Sequence, residues 1–279
     1  MAFWLLAFFI TWALGMVVVL SKQAGFINGA RVRPGAYDLP FGLTVALLLL
    51  QAFGPAIAAG AVSAWEAGGR GVAHLLRQLL RWRADPRSYL LALLLPAVLT
   101  LLAAAVWATF RRQLPAHWLL LAPAFQLLAL PIGPWGEEIG WRGFVQPRLQ
   151  ERLHWPLASL VVGVMWFTWH QWPLLTPAAE PLDLAGLAVF FVYIVSAAVL
   201  FGWIYNGGGY RLPVAWASHA GLNAVGPSFA PFGLVATVFA AAAALAALLG
   251  DRVLPAHPGP LPLPPLAAGW RGRASRPSS

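Results

Sequence analysis

The chain has no cysteine, a single lysine (Lys22) and few charged residues, which make up 10% of its 279 positions. The absence of cysteine excludes disulfides, thiolate metal sites and a cysteine nucleophile. The scarcity of charge, beside 60% apolar residues, excludes a soluble globular enzyme, because such chains carry about a quarter charged residues. It also excludes an intrinsically disordered protein, which needs high charge and low hydrophobicity. The composition therefore indicates a protein whose solvent is a lipid bilayer.

Long apolar runs follow one another along the chain, with a mean hydropathy of +0.71 and 15 Trp and 16 Phe. A helix that spans a bilayer needs about 20 apolar residues. The candidate spans are residues 2–20, 41–65, 89–110, 117–133, 156–175, 184–205, 210–229 and 231–250. The first is expected to be a retained helix, because no basic residues precede it and no small-residue cleavage site follows. We predict an all-α, polytopic transmembrane bundle of about eight to nine membrane-inserted helices.

The net charge is +9, from 18 Lys and Arg against 9 Asp and Glu. The basic residues fall mostly between apolar runs, as in polytopic membrane proteins, so nucleic acid is not expected as a partner. Residues 66–88 interleave five arginines with leucines at helical spacing and predict a basic amphipathic helix on the membrane surface. A plain hydrophilic loop is the alternative. Residues 1–253 are predicted to form one membrane domain, and the Pro- and Arg-rich residues 254–279 a disordered tail.

Ionisable residues within a spanning region are costly, which makes each of them a functional candidate. The first group lies in Gly-Glu-Glu-Ile-Gly-Trp-Arg-Gly-Phe, residues 136–144. Two prolines precede it, so we expect a new helix to begin near Gly136. Glu138 and Arg142 are four residues apart and can form an ion pair on one face. Glu137 points about 100° away and is free to act as a general base. An ordinary charged helix start at the interface is the alternative.

The second group is His170, in an aromatic segment, and the third is His219 with Asn223. A lone histidine can simply bond a neighbour, and a polar pair can hold helices together. His219 and Asn223 are four residues apart, share a helix face, and can both donate to an oxyanion. With the carboxylates, these groups are what water-driven amide hydrolysis needs. They predict a polar site inside the bundle.

Depth in the bilayer tests whether these groups can meet. If residues 136–153 formed a surface loop, His170 would lie about 20 Å from the level of Glu137, at 1.5 Å per residue. If residues 136–153 are themselves inserted as a short helix, the chain returns and brings His170 to that level. A shared site therefore requires the motif segment to be inserted.

At these residues the sequence resembles the CPBP family, which includes the type II CAAX prenyl endopeptidases and bacterial abortive-infection-type membrane proteases. The family pattern is Glu-Glu-x-x-x-Arg, Phe-x-x-x-His and His-x-x-x-Asn/Asp. Residues 137–142 and 219–223 match the first and third parts. The second departs, because Trp166 stands where the pattern has Phe. The exchange keeps an aromatic side chain, so we expect little effect on chemistry. The resemblance covers about residues 117–229.

The resemblance implies an intramembrane protease in which Glu137 and His170 activate water, while His219 and Asn223 stabilise the oxyanion. Glu138 and Arg142 would support the site. The family has also been described as metal-dependent, and Glu137, His170 and His219 could bind Zn²⁺. No His-Glu-x-x-His helix is present, and we favour a metal-free glutamate mechanism. The expected partners are the lipid bilayer and a membrane-associated peptide or protein substrate. A prenylated CAAX substrate is not expected.

Two other functions remain open from sequence: a non-catalytic scaffold or peptide-binding protein, and a small proton-coupled transporter. The compositional bias is typical of a bacterial member, so we expect the bacterial cytoplasmic membrane. The side that the site faces is open. The positive-inside rule places the site outside, whereas attraction of residues 66–88 to an anionic leaflet favours the cytoplasmic side, to which we lean.

Overall fold

A computed structural model describes residues 1–19, 26–27, 30–31, 40–111, 124–171, 184–225 and 232–253. The predicted tail, residues 254–279, lies outside this described part, as do residues 117–123, 172–183 and 226–229 of the region of resemblance. The described residues are almost all helical, which confirms the all-α class. The exception is a small antiparallel pair of strands, in which Phe26 faces Arg31 and Ile27 faces Ala30.

The helices follow the apolar runs, with differences at their ends. The elements are α1 (Ala2–Val19), β1 (Phe26–Ile27), β2 (Ala30–Arg31), α2 (Phe41–Ala52), α3 (Gly54–Leu79), α4 (Pro86–Arg111), α5 (Ala124–Gly140), a π segment (Trp141–Val145), α6 (Gln146–Gln150), α7 (Trp155–Trp169), α8 (Leu184–Gly207), α9 (Leu212–Val225) and α10 (Phe232–Val253).

Fewer helices than predicted are long and apolar enough to cross a membrane. Among the described residues there are three: Pro86–Phe110, Leu184–Gly207 and Gly233–Gly250. Two shorter apolar helices, Ala2–Val17 and Trp155–Trp169, accompany them. The count is thus lower than the eight to nine inserted helices expected. One reason is that the predicted span 41–65 breaks at Phe53, where α2 ends and α3 begins.

Helix α3 bends back on itself near its middle. Ala67 and Gly68 have non-helical backbone angles, and Gly68 has φ +59°, which favours glycine. A Cβ at Gly71 would collide with the carbonyl oxygen of Ser63, eight residues earlier, so the two parts of α3 lie side by side. We call residues 69–79 the return arm. Its Gln78 Nε2 donates to the carbonyl of Gly143 at 3.0 Å, which packs the return arm onto the π segment.

The basic amphipathic helix predicted over residues 66–88 is therefore shorter than expected. The helix ends at Leu79 and α4 begins at Pro86. The backbone N–H of Arg87 donates to Asp85 Oδ1 at 2.9 Å, and a proline is well suited to the first helical position. This local chemistry starts a new helix where one continuous helix had been predicted.

The positive charge of the return arm comes from its arginines. Arg70 and Arg77 are exposed, whereas His74 is half-buried. Burial, together with the nearby Arg148 and Arg77, lowers the pKa of His74. This imidazole is therefore neutral at pH 7 and adds no charge to the exposed face.

The motif helix also begins elsewhere than predicted. Helix α5 runs without a break through Pro131 and Pro134, so Glu137 and Glu138 lie in its last turn rather than in a first turn near Gly136. Helices in apolar surroundings tolerate proline when neighbouring helices compensate for the lost backbone bond. The helical path continues through the π segment and α6 to Gln150. Side chains from neighbouring segments, not the helix dipole, must therefore stabilise these carboxylates.

Small residues allow α7 and α8 to approach closely. A Cβ at Gly163 would lie 2.9 Å from the Cα of Val195 and 3.1 Å from the Cβ of Ala198. Close contacts between helix backbones at small residues are a common basis of helix association in bilayers. This packing fixes the end of α7, where His170 lies, against α8.

Gly163→Ala should therefore lower stability by about 1–3 kcal/mol, the usual cost of overpacking. The matched control is Gly60→Ala in α3, where an added Cβ has nothing within 4 Å. Alanine has the higher helix propensity, so this control should be neutral or slightly stabilising. Thermal unfolding in detergent micelles measures both. Equal melting temperatures for the two variants would contradict the close α7–α8 contact.

Candidate functional site

Four of the six side chains singled out in the sequence surround one indole, that of Trp166 in α7, and a fifth, Glu138, is bonded to two of these four. We call these five the polar cluster: Glu137, Glu138, Arg142, His170 and His219. Glu137 hydrogen-bonds the indole, and the rings of His170 and His219 lie 5.5 and 5.1 Å from it. The Arg142 guanidinium lies 5.6 Å from the same ring. Residues from α5, the π segment, α7 and α9 are thereby gathered at one place.

The predicted ion pair between Glu138 and Arg142 is confirmed. Arg142 Nη1 donates to both carboxylate oxygens, at 2.9 and 3.1 Å, and both side chains are fully buried. Arg142 Nη2 also donates to the carbonyl of Ala198 at 3.3 Å. Arg142 therefore compensates the buried charge of Glu138 and ties the motif segment to α8.

Glu138 also holds His219, which lies 81 residues later in the chain. His219 Nδ1 is 2.9 Å from Glu138 Oε1. An ionised carboxylate only accepts hydrogen bonds, so Nδ1 carries the proton. Nε2 of His219 is left for chemistry. As a neutral ring it accepts there, and it donates there only as an imidazolium, for which Glu138 is the counter-ion.

Glu137 is 8% exposed and lies directly against α7. The indole N–H of Trp166 donates to its Oε2 at 2.6 Å. Its other oxygen has no hydrogen bond recorded among the described residues. One oxygen is therefore fixed, and the other remains for a water or a substrate.

His170 lies immediately after the last residue of α7 and is half-buried. Its Nδ1 is 2.8 Å from the carbonyl of Trp166. A carbonyl only accepts, so Nδ1 carries the proton and Nε2 of the neutral ring has a free lone pair. The ring packs edge-on against Trp169 at 4.8 Å. This arrangement gives the polar cluster a proton acceptor, Nε2 of His170.

Asn223 stands apart from the other five. It lies one turn beyond His219 on α9, but its side chain is exposed. Within the described part of the chain, no hydrogen bond of its amide is recorded. The i,i+4 spacing gives it the same face as His219 without bringing it into the polar cluster.

The N-terminal helix, which lies outside the region of resemblance, anchors the end of α7. Trp169 Nε1 donates to Thr11 Oγ1 at 2.9 Å, and Thr11 Oγ1 donates to the carbonyl of Gln51 at 2.8 Å. Trp12 Nε1 donates to the carbonyl of Trp169 at 3.3 Å. Thr11 is fully buried. These bonds connect α1, α2 and α7 directly beside His170.

The residues that could hold a metal ion do not form a ligand set in this arrangement. Within the described ranges, no group of three or more His, Cys, Asp or Glu side chains is placed to hold a metal.

Sequence reasoning missed two contributors to the site. Trp166 was noted only as an aromatic exchange, although its N–H reaches Glu137. The signal was available, because tryptophan has a donor that phenylalanine lacks. Thr11 gave no signal, since a threonine in an apolar helix is ordinary and its partners are distant in sequence.

Residues 117–225 match the family model described as "Type II CAAX prenyl endopeptidase Rce1-like". The match confirms the resemblance to the CPBP family over that region. No curated protein matches the chain. Over these residues the chain is similar to type II CAAX prenyl endopeptidases. With its long apolar helices, the chain is an integral membrane protein.

Proposed function

We propose that this chain, whose residues 117–225 match the Rce1-like family model, is an intramembrane endopeptidase that cuts a membrane-associated protein or peptide. The observation that carries the proposal is the placement of Glu137. It is a buried carboxylate with one oxygen held by Trp166, beside two imidazoles whose Nδ1 atoms are bonded and whose Nε2 atoms are left for chemistry.

In the proposed reaction, Glu137 accepts a proton from a water molecule through the oxygen that Trp166 does not hold. The hydroxide adds to the carbonyl carbon of the scissile peptide bond. His170, with its free Nε2 lone pair, helps to orient that water. The proton then passes to the amide nitrogen, and the carbon–nitrogen bond breaks to give an acid and an amine.

The negative charge that develops on the carbonyl oxygen needs donors. His219 supplies Nε2–H as an imidazolium, with Glu138 as its counter-ion and Arg142 holding Glu138. Asn223 is proposed as the second donor, which requires its exposed amide to turn toward the substrate. His219, held by Glu138, is a fixed donor of the kind that usually contributes most to the rate in such sites.

The test is a comparison of membrane proteins and peptides between strains that carry the native chain and the Glu137→Gln variant. A protein or peptide that accumulates only with the variant, and is cut by the purified native chain, identifies the substrate. A native chain that binds a partner without ever changing its size, with Glu137→Gln binding that partner equally well, indicates a scaffold. A variant that alters proton flux instead indicates a transporter.

We place the chain in the bacterial cytoplasmic membrane with the site toward the cytoplasm.

Metal removal gives a separate expected result. Because no ligand set is gathered among the described residues, we propose that the reaction needs no metal. Treating the purified chain with 1,10-phenanthroline should then leave the cleavage rate unchanged within about twofold, while Glu137→Gln abolishes it. A loss of activity that added Zn²⁺ restores would overturn the metal-free mechanism but not the protease assignment.

A further inference from the structure

Trp166 provides a hydrogen-bond donor at a position where the family pattern has phenylalanine. Its indole N–H donates to Glu137 Oε2 at 2.6 Å. The two side chains are 2% and 8% exposed. A phenylalanine ring has no N–H and leaves that carboxylate oxygen without this donor. The departure from the pattern therefore falls on the group proposed as the base.

The indole is held on several sides and does not turn freely. The rings of Phe201 and His219 lie 5.9 and 5.1 Å away, and the Arg142 guanidinium lies 5.6 Å from its ring. A ring packed in this way keeps its N–H in a fixed direction. The oxygen that it binds is therefore fixed as well.

Glu137 needs its own hydrogen-bond donor because the adjacent residue, Glu138, is also a buried carboxylate. Arg142 donates to Glu138 and not to Glu137. Among the described residues, the indole N–H is therefore the donor to Glu137. A hydrogen bond to an ionised acceptor is short and about twice as strong as one between neutral groups.

We propose that Trp166 is a positioning residue that holds Glu137 Oε2 through its indole N–H, so that the other oxygen faces the water to be activated. The inference rests on the proposed function for its kinetic consequence. The hydrogen bond itself can be tested without it.

The kinetic test is Trp166→Phe, which restores the residue of the family pattern and removes the donor. Loss of a hydrogen bond to a charged group should lower kcat by about 10- to 100-fold, with KM changed by less than about twofold. The ionised form of Glu137 loses its donor, so the acid limb of the pH–rate profile should move to higher pH.

Trp141→Phe is the matched control. Trp141 is fully buried in the π segment, and its Nε1 has no hydrogen-bond partner in the described structure. Its replacement removes the same atoms but no donated bond, so the acid limb should stay in place. If both variants move the limb equally, or neither does, the positioning role is wrong.

Infrared spectroscopy separates this inference from the protease assignment. The band of the Glu137 carboxyl group is the one lost in Glu137→Gln. Trp166→Phe should displace this band, whereas Trp141→Phe should leave it. An undisplaced band overturns the inference even if the chain is a protease. A displaced band supports the hydrogen bond even if the native chain cuts nothing.

If Trp166→Phe does not fold, a substitution that keeps the shape of the tryptophan side chain takes its place. Benzothienylalanine in place of Trp166 keeps the two fused rings but has sulfur where the indole has N–H. It should reproduce the displaced band and the slower kcat. Native behaviour of this variant in both measurements would overturn the inference.

Discussion

The Glu137→Gln variant is expected to lose about 10²–10⁴-fold in cleavage activity, the usual contribution of a general base. Glutamine has nearly the same shape, and its side-chain oxygen can still accept the Trp166 N–H. It cannot take a proton from water, so the chemical step fails while the packing is preserved. The measurement is kcat of the purified chain in lipid vesicles on a substrate identified from the strain comparison, with thermal unfolding to show that the fold is unchanged.

The control for Glu137→Gln is Glu151→Gln. Glu151 is an exposed glutamate just after α6, so the same chemical change is made away from the polar cluster. This variant should keep the native kcat. Retention of full activity by Glu137→Gln would remove the proposed mechanism, because no other group in the polar cluster has been given the role of activating carboxylate.

The Arg142→Leu variant is expected to lose about 3–5 kcal/mol of stability, the usual effect of removing one partner from a buried ion pair. Glu138 is fully buried, and Arg142 donates to both of its oxygens. Without the guanidinium, a buried carboxylate is left with His219 alone. The free energy of unfolding in mixed micelles, measured by denaturant titration, gives the size of the loss.

Glu66→Gln is the matched control for this loss. Glu66 pairs with Arg148 at 2.8 Å, but both side chains are about a quarter exposed. Arg148 stays in place in this variant, so its hydrogen bond to the Phe144 carbonyl and its contact with the Phe144 ring are kept. Solvent screens the ion pair, so its loss should lower stability by no more than about 1 kcal/mol.

The double variant Glu138→Leu with Arg142→Leu removes both buried charges and should recover part of the stability lost in Arg142→Leu. Similar losses of stability in Arg142→Leu and Glu66→Gln would show that burial does not set the size of the loss.

Some of the site could be predicted because it depends on residues close in sequence. Glu138 and Arg142 pair because residues four apart share a helix face, and this holds whether the helix starts at Gly136 or at Ala124. The start itself was predicted wrongly, since Pro131 and Pro134 read as breaks. Whether a helix continues through a proline depends on its contacts with neighbouring helices. The local sequence gives no information about those contacts.

The sequence predicted that the six candidate residues would share one site, but it did not predict which side chains would pair within it. His219 and Glu137 do converge on Trp166, and an inserted motif segment was the condition for it. The pairing of His219 with Glu138 and the exposure of Asn223 were not predictable. A rotation of α9 about its own axis changes which side chain meets which carboxylate, and the spacing within α9 is the same for every rotation. The catalytic roles of all six remain predictions.

By itself, the sequence determined the bilayer as solvent, the all-helical class and the identity of the groups with reactive side chains. These follow from composition and from the helical repeat, which act over a few residues. Only the tertiary structure decided that α3 folds back, that Thr11 anchors α7 and that the Trp166 N–H reaches Glu137. The physical reason is that the rotation and depth of each helix depend on how closely small residues such as Gly163 and Gly71 let neighbouring backbones approach. These approaches are set by the packing of many helices together and cannot be derived from any one of them.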